Sequence, residues 1–296
     1  MAFLGAGNTP QKGPYKSRVE RGLKFLLKNQ EETNEGGWFR GEGTGTYYIQ
    51  AICTIALCEA YTMTKDPDLR RPAQLAVDLI INGQDPEGGG WRYFPRAPGD
   101  TSVVGWQVMA LTSARIAELQ LHPRVLPKVN GFLQRVSVPG SGMYGYMNSS
   151  TSRPSTTAVG ILCQMYLGKD KSNRVLVRGM NHLSDWGPNG FDMYYTYYGT
   201  MAMHHWGGVP WERWNNSMRK MLVESQVQEG DAAGSWMTDR SMHSEKGGRL
   251  YTTCLSILTL EVYYRYLPLY HKHAAQADDD DVPLDEPSTE PTAKRE

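Results

Sequence analysis

The residues best suited to chemistry lie in one short stretch, "GDTSVVGWQ", residues 99–107. Asp100 supplies a carboxyl, Thr101 and Ser102 supply hydroxyls, and Trp106 follows within the next two turns. An acid beside an aromatic wall could protonate an apolar substrate, and ring faces could then stabilise the resulting cation. The same residues have a plainer use. Asp, Ser and Thr ahead of an apolar helix are N-caps, each contributing roughly 1 kcal/mol by satisfying free amides. Asp100 therefore reads as a cap first and as a cavity acid second, and Trp106 is open between core and cavity.

Similar groups recur where other apolar stretches begin. Tyr47 and Tyr48, Thr156 with its neighbours Ser155 and Thr157, Tyr194, Tyr195 and Tyr198, and Arg249, Tyr251 and Thr252 occupy such positions. If those stretches are helices starting at one end of the molecule, their first turns converge on one mouth. An aromatic and hydroxyl-lined cup of that kind suits an apolar ligand with a polar end. His204 and His205 are adjacent, so they cannot face the same way on a helix, and a metal pair is not expected. Glu261 and Arg265 have the spacing of an ion pair within one helix.

The elements that must position these groups repeat. A Gln, a polar Gly-rich run and an aromatic recur in "NQEETNEGGWF", "GQDPEGGGWRY" and "LQRVSVPGSGMYGY", with looser copies around Trp186 and from Gln226 to Trp236. Trp38, Trp91 and Tyr144 stand 53 positions apart, an interval in the range of helical repeat proteins. Before each loop runs an amphipathic segment, such as "SRVERGLKFLLKNQ", with Val19, Leu23, Leu26 and Leu27 on one stripe. "RPAQLAVDLIINGQ" reads the same way, with Pro72 expected in its first turn. After each loop runs a segment apolar on nearly all sides, as in "TSVVGWQVMALTSARIAEL", which marks a helix buried all round. Strand signals are nearly absent. The expected fold is all-α, with five hairpins of one outer and one buried inner helix, the inner set wrapped by the outer.

Composition narrows the function classes. Lys+Arg and Asp+Glu balance at 31 each, and no basic patch is interleaved with aromatics, so nucleic acid is not an expected partner. No apolar run reaches the length of a membrane span, so no transmembrane segment is expected. Eight Trp and 17 Tyr stand against six Phe, a bias toward large apolar bodies with a polar handle. Cys53, Cys58, Cys163 and Cys254 show no zinc spacing and read as buried free thiols, which favours a reducing, cytoplasmic compartment. "MAFLGAGNTPQ" reads as the end of a helix stopped by Gly5 and Gly7, as though the chain began inside an element. Residues 271–296, acidic and Pro-rich, read as a disordered tail after a folded domain of residues 1–270.

On its Gln–Gly–Trp runs the chain resembles the prenyltransferase and squalene-oxidase/cyclase repeat superfamily. "GQDPEGGGW" is similar to the Gln-Trp motif of the squalene–hopene cyclases, and "NQEETNEGGW" is a second copy. "GDTSVVGWQ", "HHWGG" and "GGRLYTTCLSILTLEVYYRYLPLY" are similar to segments of bacterial repeat proteins of this kind. The resemblance implies an α/α toroid, an apolar, isoprenoid-like ligand or a peptide segment, and Gln-Trp joints that tie neighbouring hairpins. It does not carry the chemistry. The cyclases' Asp-x-Asp-Asp acid is missing outside the run of Asp278 to Asp281, the prenyltransferases' Asp-x-Cys zinc ligands are missing, and so is the Cys-Gly-Glu-Gln thioester. The expectation is a non-catalytic binding or assembly module without metal or cofactor. The alternative is a divergent isoprenoid cyclase with Asp100 as its acid.

Overall fold

The computed structural model describes residues 1–41, 45–238 and 241–265. The segment 271–296, the acidic run within it and the end of the proposed folded domain lie outside the described residues. The described residues are mainly helical, consistent with an all-α fold, with one small hairpin among them. A short first helix, α1 (Ala2–Gly5), ends at Ala6 and Gly7, the latter at φ 81°. Ten longer helices then alternate in character.

The amphipathic set comprises α2 (Lys16–Asn29), α4 (Pro67–Asn82), α6 (Val125–Val136), α8 (Arg174–Trp186) and α10 (Gly208–Ser225). Each buries one stripe, for example Val129, Phe132, Leu133 and Val136 on α6. The second set comprises α3 (Thr46–Thr64), α5 (Thr101–Ile116), α7 (Pro154–Tyr166), α9 (Met193–Trp206) and α11 (Met242–Leu260), followed by α12 (Val262–Arg265). On α5 and α9 almost every side chain is buried, as their lack of a charged face requires. Those buried helices pack in chain order, α3 on α5, α5 on α7, α7 on α9 and α9 on α11. The little α1 packs on both α3 and α11, the first and last of the series.

Two boundaries differ from the sequence expectation. Helix α4 starts at Pro67, capped by the Asp66 carboxylate accepting from the Asp68 amide at 3.0 Å. Pro72 therefore lies inside the helix, because a good cap with proline directly after it outcompetes a later start. Helix α11 starts at Met242, earlier than expected, and a break at Gly248 (φ 63°) leaves its regular part beginning close to Arg249.

The loops also hold a feature that periodicity did not reveal. Strands β1 (Glu31–Thr33) and β2 (Gly36–Trp38) pair antiparallel inside the first Gly-rich run. At the corresponding place in the third run, Ser137 and Tyr144 form a single bridge. Three-residue strands are too short to show alternation, so only backbone hydrogen bonding identifies them.

The Gln–Gly–Trp runs act as joints between hairpins. The Gln30 amide donates to the Pro72 carbonyl at 2.9 Å, and the Gln84 amide donates to the Val125 carbonyl at 3.0 Å. Each glutamine thus reaches from the end of one amphipathic helix to the next one. The Trp91 indole, wholly buried, donates to Ile80 at 2.7 Å, and the Trp236 indole donates to Leu222 at 2.8 Å. Gly36, Gly89 and Gly142, 53 positions apart, all have positive φ (134°, 70° and 78°). A Cβ at any of the three would overlap backbone of the following amphipathic helix, at Leu75 and Leu79, at Lys128, or at Val175 and Gly179. Only glycine permits both that φ and that approach.

Candidate functional site

Asp100, at the start of α5, has residues from the first turns of other buried helices and from two connecting loops around it. Its side chain is fully buried. Oδ1 accepts from the Val103 amide at 3.0 Å and so caps α5. Oδ2 faces the Arg92 guanidinium, with Nε at 3.6 Å, and the Tyr146 hydroxyl acts on the same carboxylate. Burial pushes the Asp100 carboxyl above its ordinary value, while Val103, Tyr146, Arg92 and the Ser102 amide pull it down.

Tyrosines surround this carboxylate. The hydroxyls of Tyr93 and Tyr146 meet at 3.0 Å. Burial raises the Tyr48 phenol, and Asp100, Tyr146 and Tyr93 raise it further, so all three lie within its electrostatic reach. The Tyr194 hydroxyl donates to the Ser102 carbonyl at 3.1 Å. Burial raises the Tyr194 phenol as well, with Tyr48, Tyr251 and Asp100 acting in the same direction. Tyr48 and Tyr251 are half-buried, whereas Tyr194 is buried. The cluster therefore spans four buried helices, α3, α5, α9 and α11, and two loops.

Of the residues singled out in the sequence, Asp100, Ser102, Tyr48, Tyr194 and Tyr251 come together here. Several others do not. Tyr47 is buried with its ring edge against Trp38 and its hydroxyl against Gly83, so it fills a joint between hairpins. Thr101 donates to the Gly145 carbonyl at 2.6 Å and Thr156 to the Tyr144 carbonyl at 2.7 Å, both holding loop backbone. The Tyr195 hydroxyl donates to Gly187 at 2.9 Å, and its ring meets Trp214 of α10 edge-on. Arg249 is exposed at the start of the regular part of α11. Successive helix positions turn by about 100°, which is why Tyr47 and Tyr48, or Tyr194 and Tyr195, diverge.

The interior beyond the cluster is filled by aromatic rings. Trp106 stacks on Tyr197 with centroids 5.8 Å apart, and meets Tyr198 edge-on at 5.8 Å. These are favourable aromatic geometries, and they make Trp106 a core residue with 5% exposure. A surface depression lined by Asn216, Arg219, Lys220, Val223 and Glu224 lies on α10, outside the buried set.

The histidines diverge as adjacency requires. The His204 ring meets Trp211 at 4.9 Å, and His205 meets Tyr166 at 5.6 Å. Burial, with His204 adding to it, pushes His205 down to about 3. Among the described residues no three His, Cys, Asp or Glu side chains form a metal-binding group. Glu261 is buried at the end of α11 with its carboxylate against Gly5 of α1, and the side chain of Arg265 lies outside the described residues. The cysteines are all free, but only Cys58 and Cys163 are buried; Cys53 is half-buried and Cys254 exposed.

Arg92, Tyr93 and Tyr146 were missed in the sequence because they sit in loops rather than at helix starts. A signal was present. Tyr93 and Tyr146 are 53 positions apart, the same interval that separates Trp91 from Tyr144.

No protein-family model matches the chain, and no curated protein matches it. No described helix is long and apolar enough to cross a membrane.

Proposed function

We propose that the chain is an α/α toroid of the terpene-cyclase and prenyltransferase type that works as a non-catalytic binding or assembly module. The packing of α3, α5, α7, α9 and α11 in series, with α1 against both ends, supports an inner ring; α4, α8 and α10 pack on it from outside. The observation that carries the binding reading is the commitment of Asp100. One oxygen caps α5 and the other faces Arg92, so the carboxylate has a structural use in holding this end of α5. An acid able to protonate an alkene must be held protonated until it meets the substrate, and a cation beside the carboxyl favours the ionised form instead. Around this carboxylate, Tyr48 and Tyr251 are half-buried and keep part of their rings at the surface. Such rings suit an apolar molecule with a polar end, isoprenoid-like, or an apolar peptide segment.

The test combines retention with turnover. The chain is incubated with squalene and with a polyprenyl alcohol, then examined by native mass spectrometry and by gas chromatography of the extract. The expected result is a bound adduct, weakened at least tenfold by Tyr48→Ala combined with Tyr251→Ala, with no new hydrocarbon product. A cyclised product that disappears in Asp100→Asn at unchanged melting temperature would restore the cyclase reading.

A further inference from the structure

The charge balance of the whole chain conceals a separation. Residues 12–28 hold six basic side chains, Lys12, Lys16, Arg18, Arg21, Lys24 and Lys28, against the single acid Glu20. Elsewhere in residues 1–265 basic and acidic side chains balance at 22 each. Residues 278–290 hold seven acids and no base, from the run Asp278 to Asp281 through Asp285, Glu286 and Glu290. The excess of each sign is thus confined to one short stretch.

The basic excess is displayed rather than buried. All six cations are exposed, and α2 turns Val19 and Leu23 inward on its other side. Arg18, Arg21, Phe25 and Lys28 stand three, four and three positions apart, so they form one stripe along α2. Phe25 is 65% exposed within that stripe, and open space adjoins Gly22 three positions earlier. A ring left in water among three cations fits an acidic segment that carries apolar side chains of its own. Among the described residues no carboxylate lies within ion-pair distance of Lys12, Lys16, Arg18, Arg21 or Lys28. Lys24 pairs with Glu20 at 2.6 Å. The acids that follow α2 are engaged elsewhere, Glu31 with Arg40, Glu32 with Arg71 and Glu35 with Arg96.

The path of the chain brings the two stretches within reach of each other. Helix α1 packs on α12, and its Phe3 ring lies 5.0 Å from that of Tyr15, the residue just before α2. Helix α12 and the start of α2 therefore both adjoin α1, which is only about 6 Å long. Helix α2 itself is about 21 Å long. From Arg265 to Asp278 the chain advances 13 residues, which span up to about 43 Å. The acids can therefore meet the basic stripe without any rearrangement of the helices.

We propose that residues 278–286 lie on the Arg18, Arg21, Phe25 and Lys28 stripe of α2 in the same molecule. The carboxylates face the cations, and Val282 and Leu284, between the two groups of acids, cover the Phe25 ring. Exposed ion pairs are individually weak and screened by salt, so the same contact between separate chains would be slight. The connection through α12 changes that balance, because it holds the acids near α2 at an effective concentration of about millimolar. The contact covers the stretch that carries the chain's basic excess and withholds it from other polyanions. It is independent of what binds beside Asp100.

The test is carbodiimide coupling of lysine amines to carboxylates in the full chain, with the joined peptides identified by mass spectrometry. An equal mixture of nitrogen-15 and ordinary chains separates coupling within a molecule from coupling between molecules. Residues 278–286 should couple to Lys24 and Lys28, within one molecule, about fivefold or more over the exposed Lys128 and Lys220. High salt should abolish that preference. Arg18→Ser combined with Arg21→Ser keeps every lysine and alters only exposed positions, and it should lower the coupling about threefold or more. Coupling spread evenly over the lysines, or unaltered in that variant, would overturn the proposal. Coupling that joins labelled to unlabelled chains would do the same, with a second copy as the occupant. Tight binding of the original chain to phosphatidylserine vesicles, unchanged when Asp278 to Asp281 are all replaced by Asn, would give the stripe to a membrane surface instead.

Discussion

The hydroxyls of Tyr93 and Tyr146 meet at 3.0 Å although 53 residues separate them in the chain. Each follows the aromatic of its own Gly-rich run by two positions, Trp91 in one case and Tyr144 in the other. Equivalent residues of successive loops are thus bonded to each other above the buried Asp100. The loops at this end are coupled to one another as well as to their own helices.

That coupling is measurable. Tyr93→Phe and Tyr146→Phe each remove one partner of the pair and should each cost about 1 kcal/mol. Because the second change removes a bond that is already broken, the double variant should cost less than the sum by about 0.5–1 kcal/mol. Urea unfolding of the four chains tests this, and strict additivity would show that the hydroxyls do not interact in solution.

Gly89 should be among the least replaceable residues. Its φ of 70° disfavours any side chain by about 1–2 kcal/mol, and a Cβ would also overlap the Lys128 carbonyl. Gly89→Ala is expected to cost about 3 kcal/mol or more once that overlap is added. Gly7 has a similar φ, 81°, but open space where a Cβ would go. Gly7→Ala should therefore cost only about 1–2 kcal/mol. Equal losses of thermal stability in the two variants would refute the role of Gly89 as a close joint.

The sign of the pH dependence at Asp100 follows from burial. Its carboxyl is raised in the folded chain, so the native state holds this proton more tightly than the unfolded state does. The contribution is fully present below the ordinary carboxylate value and is lost as pH rises through the raised folded value. Asp100→Asn keeps an oxygen able to cap α5 but cannot titrate. The stability of the original chain relative to this variant should therefore improve as pH falls through that window. Asp100→Ala removes the cap too and leaves Arg92 facing no anion, which should cost about 1–3 kcal/mol at neutral pH. Denaturant titrations across acidic pH check both statements, and a relative stability that worsens on acidification would reverse the assignment.

The alternation of helix types was legible in the residues, because it depends only on local periodicity. A stripe of apolar side chains every three or four positions must bury one face, and a segment without charge must be buried all round. The Gln–Gly–Trp runs likewise announced joints, and the structure bears this out in part: Gln30 and Gln84 bond the following amphipathic helix, while Trp91 and Trp236 bond the preceding one. The small hairpin at Glu31–Thr33 and Gly36–Trp38 was not legible, since three-residue strands carry no pattern.

The candidate site divides along the same line. By itself the sequence determined that polar and aromatic groups gather where the buried helices begin, and that Asp100 is placed to cap one of them. Only the tertiary structure decided that Tyr48 faces Asp100 while Tyr47 fills a joint, and that Trp106 stacks on Tyr197 in the core. It alone brought Arg92 and Tyr146 to the carboxylate. The physical reason is range. Periodicity and capping are set by residues within a few positions of each other. Which ring meets which, and which face is left uncovered, depends on how whole helices rotate and pack against partners far away in the chain.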